Sequence, residues 1–278
     1  MSGRVPAGYT SLELPGASAV CRAEARDAVR AALAAHPTLY AYAESHPARR
    51  AFHGRAPTYA VPLPGGVGDV VVRHAWHGGA LRRVTRDLFA PPTRAPGELR
   101  TSERLRAAGV RTPAVVAYAR YPAPLGLRRV DVATRLVPGA RDLADVLLPN
   151  GAAGADAGPA AGLRAGWLDA TAALLADLAR AGARHPDLNL KNVLLARDPD
   201  PAGGGIVRAW VLDVDVAALP ARPATVNEVR SAFDANLARL GRSVAKWRRG
   251  RGLTVGDADI AALRDRALAH LSGGAAPA

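Results

Sequence analysis

Residues 185–215 constrain the fold more than any other stretch of the chain. The run HPDLNLKN (185–192) puts His185, Asp187, Asn189, Lys191 and Asn192 directly after an amphipathic helical pattern and directly before the apolar run VLLA. A polar group that loses water without gaining a partner destabilises the fold, so such a cluster calls for a ligand or an exposed turn. Asp, Asn and Pro are ordinary turn formers, and a capping turn would account for the octapeptide alone. It would not account for the second apolar run, IVRAWVL, that comes next and delivers Asp213 and Asp215. The order helix, Asp-x-x-x-x-Asn, strand, turn, strand, Asp meets several independent requirements of a catalytic site.

Upstream the pattern changes twice. Residues 17–36 read as a helix ending before Pro37, and the first fifty residues as a helical extension (1–50). Thr58 to Trp76 reads as two β-rich runs joined by a Pro-Gly-Gly turn. GELRTSERLRAAGV follows as a helix stopped by Gly109, and AVVAYAR and RRVDVATRLV as a further strand pair. Residues 149–162 form a Gly- and Ala-rich loop. Beyond it Leu163, Trp167, Thr171, Leu174 and Leu178 recur at helical spacing up to Gly182, and Thr225 with Glu228 makes a capping box for a helix running toward Trp247. The division expected is therefore the extension, a β-rich N-lobe (51–137) that binds nucleotide and a C-lobe (138–278) that carries the catalytic loop. The expected class is α+β, a bilobal protein-kinase-like fold with one C-type helix in the N-lobe and a helical C-lobe.

Composition narrows the partners. The net charge of +13 favours a polyanion, although only Lys191 and Lys246 are lysines and an arginine-, alanine- and glycine-rich composition raises charge without any binding role. No aromatic residues interleave with the basic ones as a nucleic-acid surface would require, so no nucleic-acid partner is expected. Cys21 is the single cysteine, which excludes an internal disulfide and a thiolate zinc cluster, and His74 and His77 lack an obvious ligand set. No apolar run approaches the roughly 18 residues of a membrane span and the opening lacks a leader pattern, so the expected location is cytoplasmic.

Phosphoryl transfer needs a carboxylate for the acceptor hydroxyl, metal ligands and cations for the phosphates. Asp187 is followed after five residues by Asn192, the spacing of a kinase base and metal ligand. Asp213 is the candidate principal Mg2+ ligand with Asp215 as helper, oxygen donors of the kind Mg2+ prefers. The strand before the single small-lobe helix carries Arg73, which can set its charge against the α- and β-phosphates of ATP, with Glu98 on the next helix as tether and Glu103 as the second choice.

On these residues the chain resembles the lipopolysaccharide core kinases, the 3-deoxy-D-manno-octulosonic acid (Kdo) kinase and heptose kinase group. The resemblance rests on VVRHAWHGG, GELRTSERLRAAGVRTP (97–113), HPDLNLKNVLL (185–195), VLDVD (211–215) and NLARLGRSVAKW (236–247). It implies ATP-dependent phosphorylation of a lipid-linked Kdo sugar at the cytoplasmic face of the inner membrane, and arginine at position 73 is similar to the Kdo branch. Val214 stands where the family has Phe, Pro186 where it has a small residue and Lys191 where it often has His. Lys191 is a candidate to neutralise the transferring phosphoryl group, and the backbone amides of Gly54 and Arg55 to cover the phosphates. The cluster Arg239, Arg242, Lys246, Arg248, Arg249 and Arg251 is a candidate contact for anionic lipid. Two alternatives stay open: a small-molecule phosphotransferase of the aminoglycoside type, and a pseudokinase that binds nucleotide without turnover.

Overall fold

The computed structural model describes residues 5–52, 56–76, 87–148, 157–198 and 205–273, with side chains from 162 onward in the helix that starts at 157. The chain divides into two units, Met1–Arg100 with Pro113–Leu136, and Thr101–Thr112 with Val137–Ala278.

The first unit is built on a seven-stranded antiparallel sheet. Its strands are β1 (Tyr9–Leu14), β2 (Ala17–Arg22), β3 (Arg50–Phe52), β4 (Thr58–Leu63), β5 (Gly68–His74), β6 (Val115–Pro122) and β7 (Arg128–Arg135), in the order β1-β2-β6-β7-β5-β4-β3. Alternation along β5 and β7 sends successive residues to opposite faces. Val70, Val72 and Ala133 pack with Val29 of α1 (Arg26–Ala35) and with Leu39 and Tyr42 of α2 (Leu39–Ser45). Val130 and Val132 pack on the other face with Leu99 of α3 (Ala95–Ala107).

The helical extension expected over residues 1–50 is corrected here. Ala17–Arg22 pairs with β1 on one side and β6 on the other, and helix begins only at Arg26 after a short 3-10 turn. Ala, Ser, Val and Cys are short enough to be buried on both faces of a sheet, and pairing on two sides overrides the helical preference of the alanines. The Pro15-Gly16 step, with Gly16 at φ +78°, is the turn that closes β1 on β2.

The second unit packs α4 (Leu143–Leu147), α5 (Ala157–Arg180), α6 (Val226–Arg251) and α7 (Asp257–Gly273) around one apolar core, with a small sheet of β8 (Arg141–Asp142), β9 (Val193–Arg197) and β10 (Val207–Val211). Leu175, Leu178, Leu188, Leu190, Leu195 and Leu240 are fully buried in it, each contributing about 1.5–3 kcal/mol. Of the loop expected over 149–162, the described part from Ala157 onward is helix. Gly182 ends the polypeptide's run from α5 at φ +62°, where a Cβ would meet the Ala224 Cβ at 2.8 Å. Only glycine fits both demands. The capping box of Thr225 and Glu228 opens α6 as its spacing predicts. Among the described residues no helix is long and apolar enough to cross a membrane.

Candidate active site

In the first unit the ladder sets the geometry. Arg73 lies opposite Val132 in the β5–β7 register, which points it to the α3 face of the sheet. There its Nη2 donates to both carboxylate oxygens of Glu98 at 2.5 Å. Glu98 is 8% exposed and Arg73 30%, so the carboxylate is enclosed while the guanidinium keeps a route to a ligand. Glu103, the second choice as tether, lies 3.7 Å from Arg106 on its own helix. Gly54, Arg55 and His77 lie outside the described residues.

His74, one residue on, points to the opposite face. Its Nδ1 meets Asp131 Oδ1 at 2.6 Å and its Nε2 meets Asp87 Oδ2 at 3.1 Å. Asp131 is fully buried and also accepts from the Tyr40 N–H at 2.8 Å and the Tyr121 hydroxyl at 3.0 Å. Burial opposes a charge on His74, but the bond to Asp131 and its charge, then those of Asp87, outweigh it and hold the imidazole pKa above its ordinary value. Burial likewise works against the Asp87 carboxylate, and His74 and Arg129 overcome it and hold that carboxyl low.

In the second unit the polar octapeptide is a loop fastened along α6. The His185 N–H donates to Asn236 Oδ1 at 2.9 Å, and Asn236 Nδ2 donates to the Ala183 carbonyl at 2.8 Å. Arg239 donates from Nε to the Pro186 carbonyl at 2.9 Å and from Nη2 to Asp187 Oδ1 at 2.6 Å. The Leu190 N–H donates to Ser243 Oγ at 3.2 Å, and Lys191 Nζ lies 5.9 Å from the centre of the Trp247 ring. Positions 236, 239, 243 and 247 share one stripe of a 3.6-residue helix, so consecutive loop residues are read by consecutive turns.

Asn192 Nδ2 donates to the Asp187 carbonyl at 2.9 Å, which commits the amide nitrogen and leaves the amide oxygen as the atom that could accept a ligand. The Leu212 N–H donates to the Asn192 carbonyl at 2.9 Å, and the Leu212 carbonyl accepts from His185 Nε2 at 2.8 Å. A carbonyl can only accept, so His185 carries its hydrogen on Nε2. Leu212 thereby ties the residue before Asp213 to both ends of the loop. Asp213 is exposed and sits at φ 54°, ψ 47°, a left-handed conformation that Asp adopts more readily than most residues, while Val214 beside it is buried. Asp215 lies in the following 3-10 turn.

Lys191 points elsewhere than its sequence position suggests. Its ammonium bonds Asp142 at 2.8 Å and Asp145 at 2.7 Å, the two acidic residues at the start of α4. Burial works against the ammonium, yet the two carboxylates raise its pKa, while burial is the main reason the Asp142 carboxyl is pushed up. Asp142, Asp145, Asn236 and Ser243 are site residues that sequence reasoning did not single out. The signal for two of them was present: Asn236 and Ser243 are polar positions seven apart on the stripe of α6 that also buries Leu240.

The profile of the lipopolysaccharide kinase (Kdo/WaaP) family matches residues 54–265. The chain belongs to this family. It is 32% identical over 216 residues to a 3-deoxy-D-manno-octulosonic acid kinase of Stenotrophomonas maltophilia (strain K279a), covering 76% of this chain and 75% of that protein. It is 34% identical over 202 residues to a protein of the same name from Xanthomonas oryzae pv. oryzae (strain PXO99A), covering 71% of this chain and 70% of the relative. A solved structure, WaaP in complex with acyl carrier protein, superposes with a TM-score of 0.45 at 18% identity, covering 80% of this chain and 78% of that one. As a member of the Kdo/WaaP family the protein is a lipopolysaccharide kinase, a phosphotransferase, and its architecture is α+β.

Proposed function

We propose that the chain transfers the terminal phosphoryl group of ATP, with Mg2+, to a hydroxyl of a Kdo sugar carried on lipid-linked lipopolysaccharide core. The observation that carries this reading is the turn holding Asp187 and Asn192. One carboxylate oxygen of Asp187 is occupied by Arg239 and the other remains for an acceptor hydroxyl, on a side chain that is 57% exposed. Asp187 takes the proton as the hydroxyl oxygen attacks, and ADP departs with the electrons of the broken bond.

The donor set suits Mg2+. Asn192 offers an amide oxygen and Asp213 a carboxylate, with Asp215 in the adjoining turn, all hard oxygen ligands. Among the described residues there is no group of three or more His, Cys, Asp or Glu that could hold a metal. Mg2+ characteristically takes few side chains and fills its shell with phosphate and water. Bound there, it would neutralise phosphate charge. Arg73, fixed by Glu98, would present its guanidinium to the α- and β-phosphates.

The named relatives support Kdo as the acceptor. Action at the cytoplasmic face of the inner membrane follows from that lipid-linked acceptor. The exposed Arg242, Lys246, Arg248, Arg249 and Arg251 at the end of α6 suit contact with anionic lipid at roughly 1 kcal/mol per residue. The acidic pair Asp142 and Asp145 is engaged by Lys191, whose ammonium offsets the negative charge that would draw a cationic aminoglycoside there. The test is mass spectrometry of Kdo-bearing lipid A precursors after incubation with ATP, Mg2+ and protein. A gain of one phosphate is expected. Phosphate appearing on an aminoglycoside instead, or nucleotide binding without any turnover, would replace the proposal with one of the two rivals.

A further inference from the structure

Resting on the kinase reading, we propose that Arg239, delivered from helix α6, is the residue that positions the acceptor base. Lys191 is the only cation inside the loop 185–192, and its ammonium is committed to Asp142 and Asp145 at 2.8 and 2.7 Å. The cation that does meet Asp187 comes from 52 residues away, with Nη2 2.6 Å from Oδ1.

The contact has two points. Nε of the same guanidinium donates to the Pro186 carbonyl at 2.9 Å, so one rigid plane grips both the carboxylate and the backbone that precedes it. A carboxylate rotates broadly about its terminal torsion, and a fork fixed at both ends removes that freedom. With Oδ1 held, Oδ2 is turned to the acceptor hydroxyl. The arginine is itself indexed, because Asn236 and Ser243, one turn before it and one after, bond His185 and Leu190 of the same loop. An ion pair between partly exposed groups contributes little to stability. The consequence of losing it should therefore appear in catalysis, through a base that is present but misplaced.

The experiment uses the full chain with ATP, Mg2+ and a Kdo-bearing lipid A precursor. Arg239→Gln is expected to lower kcat on the order of 10²-fold, as misplacement of a reacting group does, with KM for both substrates and the melting temperature nearly unchanged. Arg239→Lys keeps the charge, loses the fork and should recover only part of the rate. Arg239→Ala should be accelerated by added guanidinium and not by equal ammonium, which a merely structural arginine would not produce. Arg230→Gln, exposed on the same helix, is the control and should behave as wild type. A wild-type kcat in Arg239→Gln, or a loss that guanidinium fails to rescue and that follows the melting temperature, overturns the assignment. Should the wild-type protein phosphorylate no Kdo acceptor but hydrolyse ATP, the acceptor reading falls, and the same variants decide the role of Arg239 through the hydrolysis rate. Absence of both reactions removes both proposals.

Discussion

The two units fasten their polar centres in different ways. In the sheet unit Arg73, His74 and Asp131 sit on neighbouring strands, and the backbone ladder of β5 and β7 fixes where each side chain starts. Their mutual bonds add charge balance to positions already set. In the helical unit the candidate base lies on a loop whose rungs are side chains of α6, with Asn236, Arg239 and Ser243 holding His185, Asp187 and Leu190. Such a loop is only as well placed as those side chains. Changes in the sheet should therefore act through charge, and changes on α6 through position.

The largest effect tests the candidate base itself. Asp187→Asn keeps the shape of the side chain but cannot take a proton, and phosphate transfer should fall by roughly 10²–10⁴-fold in a steady-state assay while the melting temperature holds. Next comes Arg73→Met, which removes the charge from a ladder-fixed position. It should lower kcat/KM for ATP by about 10²-fold and leave the circular dichroism of the sheet unchanged. If the sheet were instead held together by the Arg73–Glu98 pair, that variant would unfold it, and the contrast between the units would disappear.

Asn236→Ala probes the opposite side. Asn236 is 1% exposed, and its loss strands the His185 N–H and the Ala183 carbonyl in the core at about 1–3 kcal/mol each. Stability and kcat should fall together in thermal melts and rate assays. A stability loss with a normal kcat would mean that the loop keeps its geometry without α6.

These differences also explain what the sequence made legible. Features that depend on spacing were readable: the hairpin around Pro64 to Gly66, the capping box at Thr225 and Glu228, and the five-residue step from Asp187 to Asn192. Strand β2 was not, because its residues have no helical or strand alternation of their own and take their state from two neighbours, one of them about 100 residues away. The destination of Lys191 was hidden for a related reason. Its partners Asp142 and Asp145 lie 49 and 46 residues upstream, and no local pattern records a pair closed over that length. Arg239 was visible as a charge among many arginines, and only the folded helix separates the one that meets Asp187 from those left in solvent.

The smallest effect concerns His74, where the ladder view predicts a pH dependence without a catalytic loss. The folded imidazole is held above its unfolded value near 6.5 by Asp131 and Asp87. Its stabilisation is therefore complete below that value and lost as the pH rises through the higher folded pKa. Asp87 is held below its unfolded 3.8 by His74 and Arg129, so its share is complete above that value and lost as the pH falls through the lower folded pKa. The pair should thus stabilise most between about pH 4 and 6.5. The hydroxyls of Tyr121 and Tyr40 have pKa values raised further out of the range. Melting temperatures of wild type and His74→Gln, compared from pH 4 to 9, should differ by on the order of 2–4 °C on the acid side and converge toward the alkaline side. A gap that is the same at every pH would mean that the ring acts by packing alone, and a kcat that follows the gap would join the sheet network to the chemistry from which the ladder view separates it.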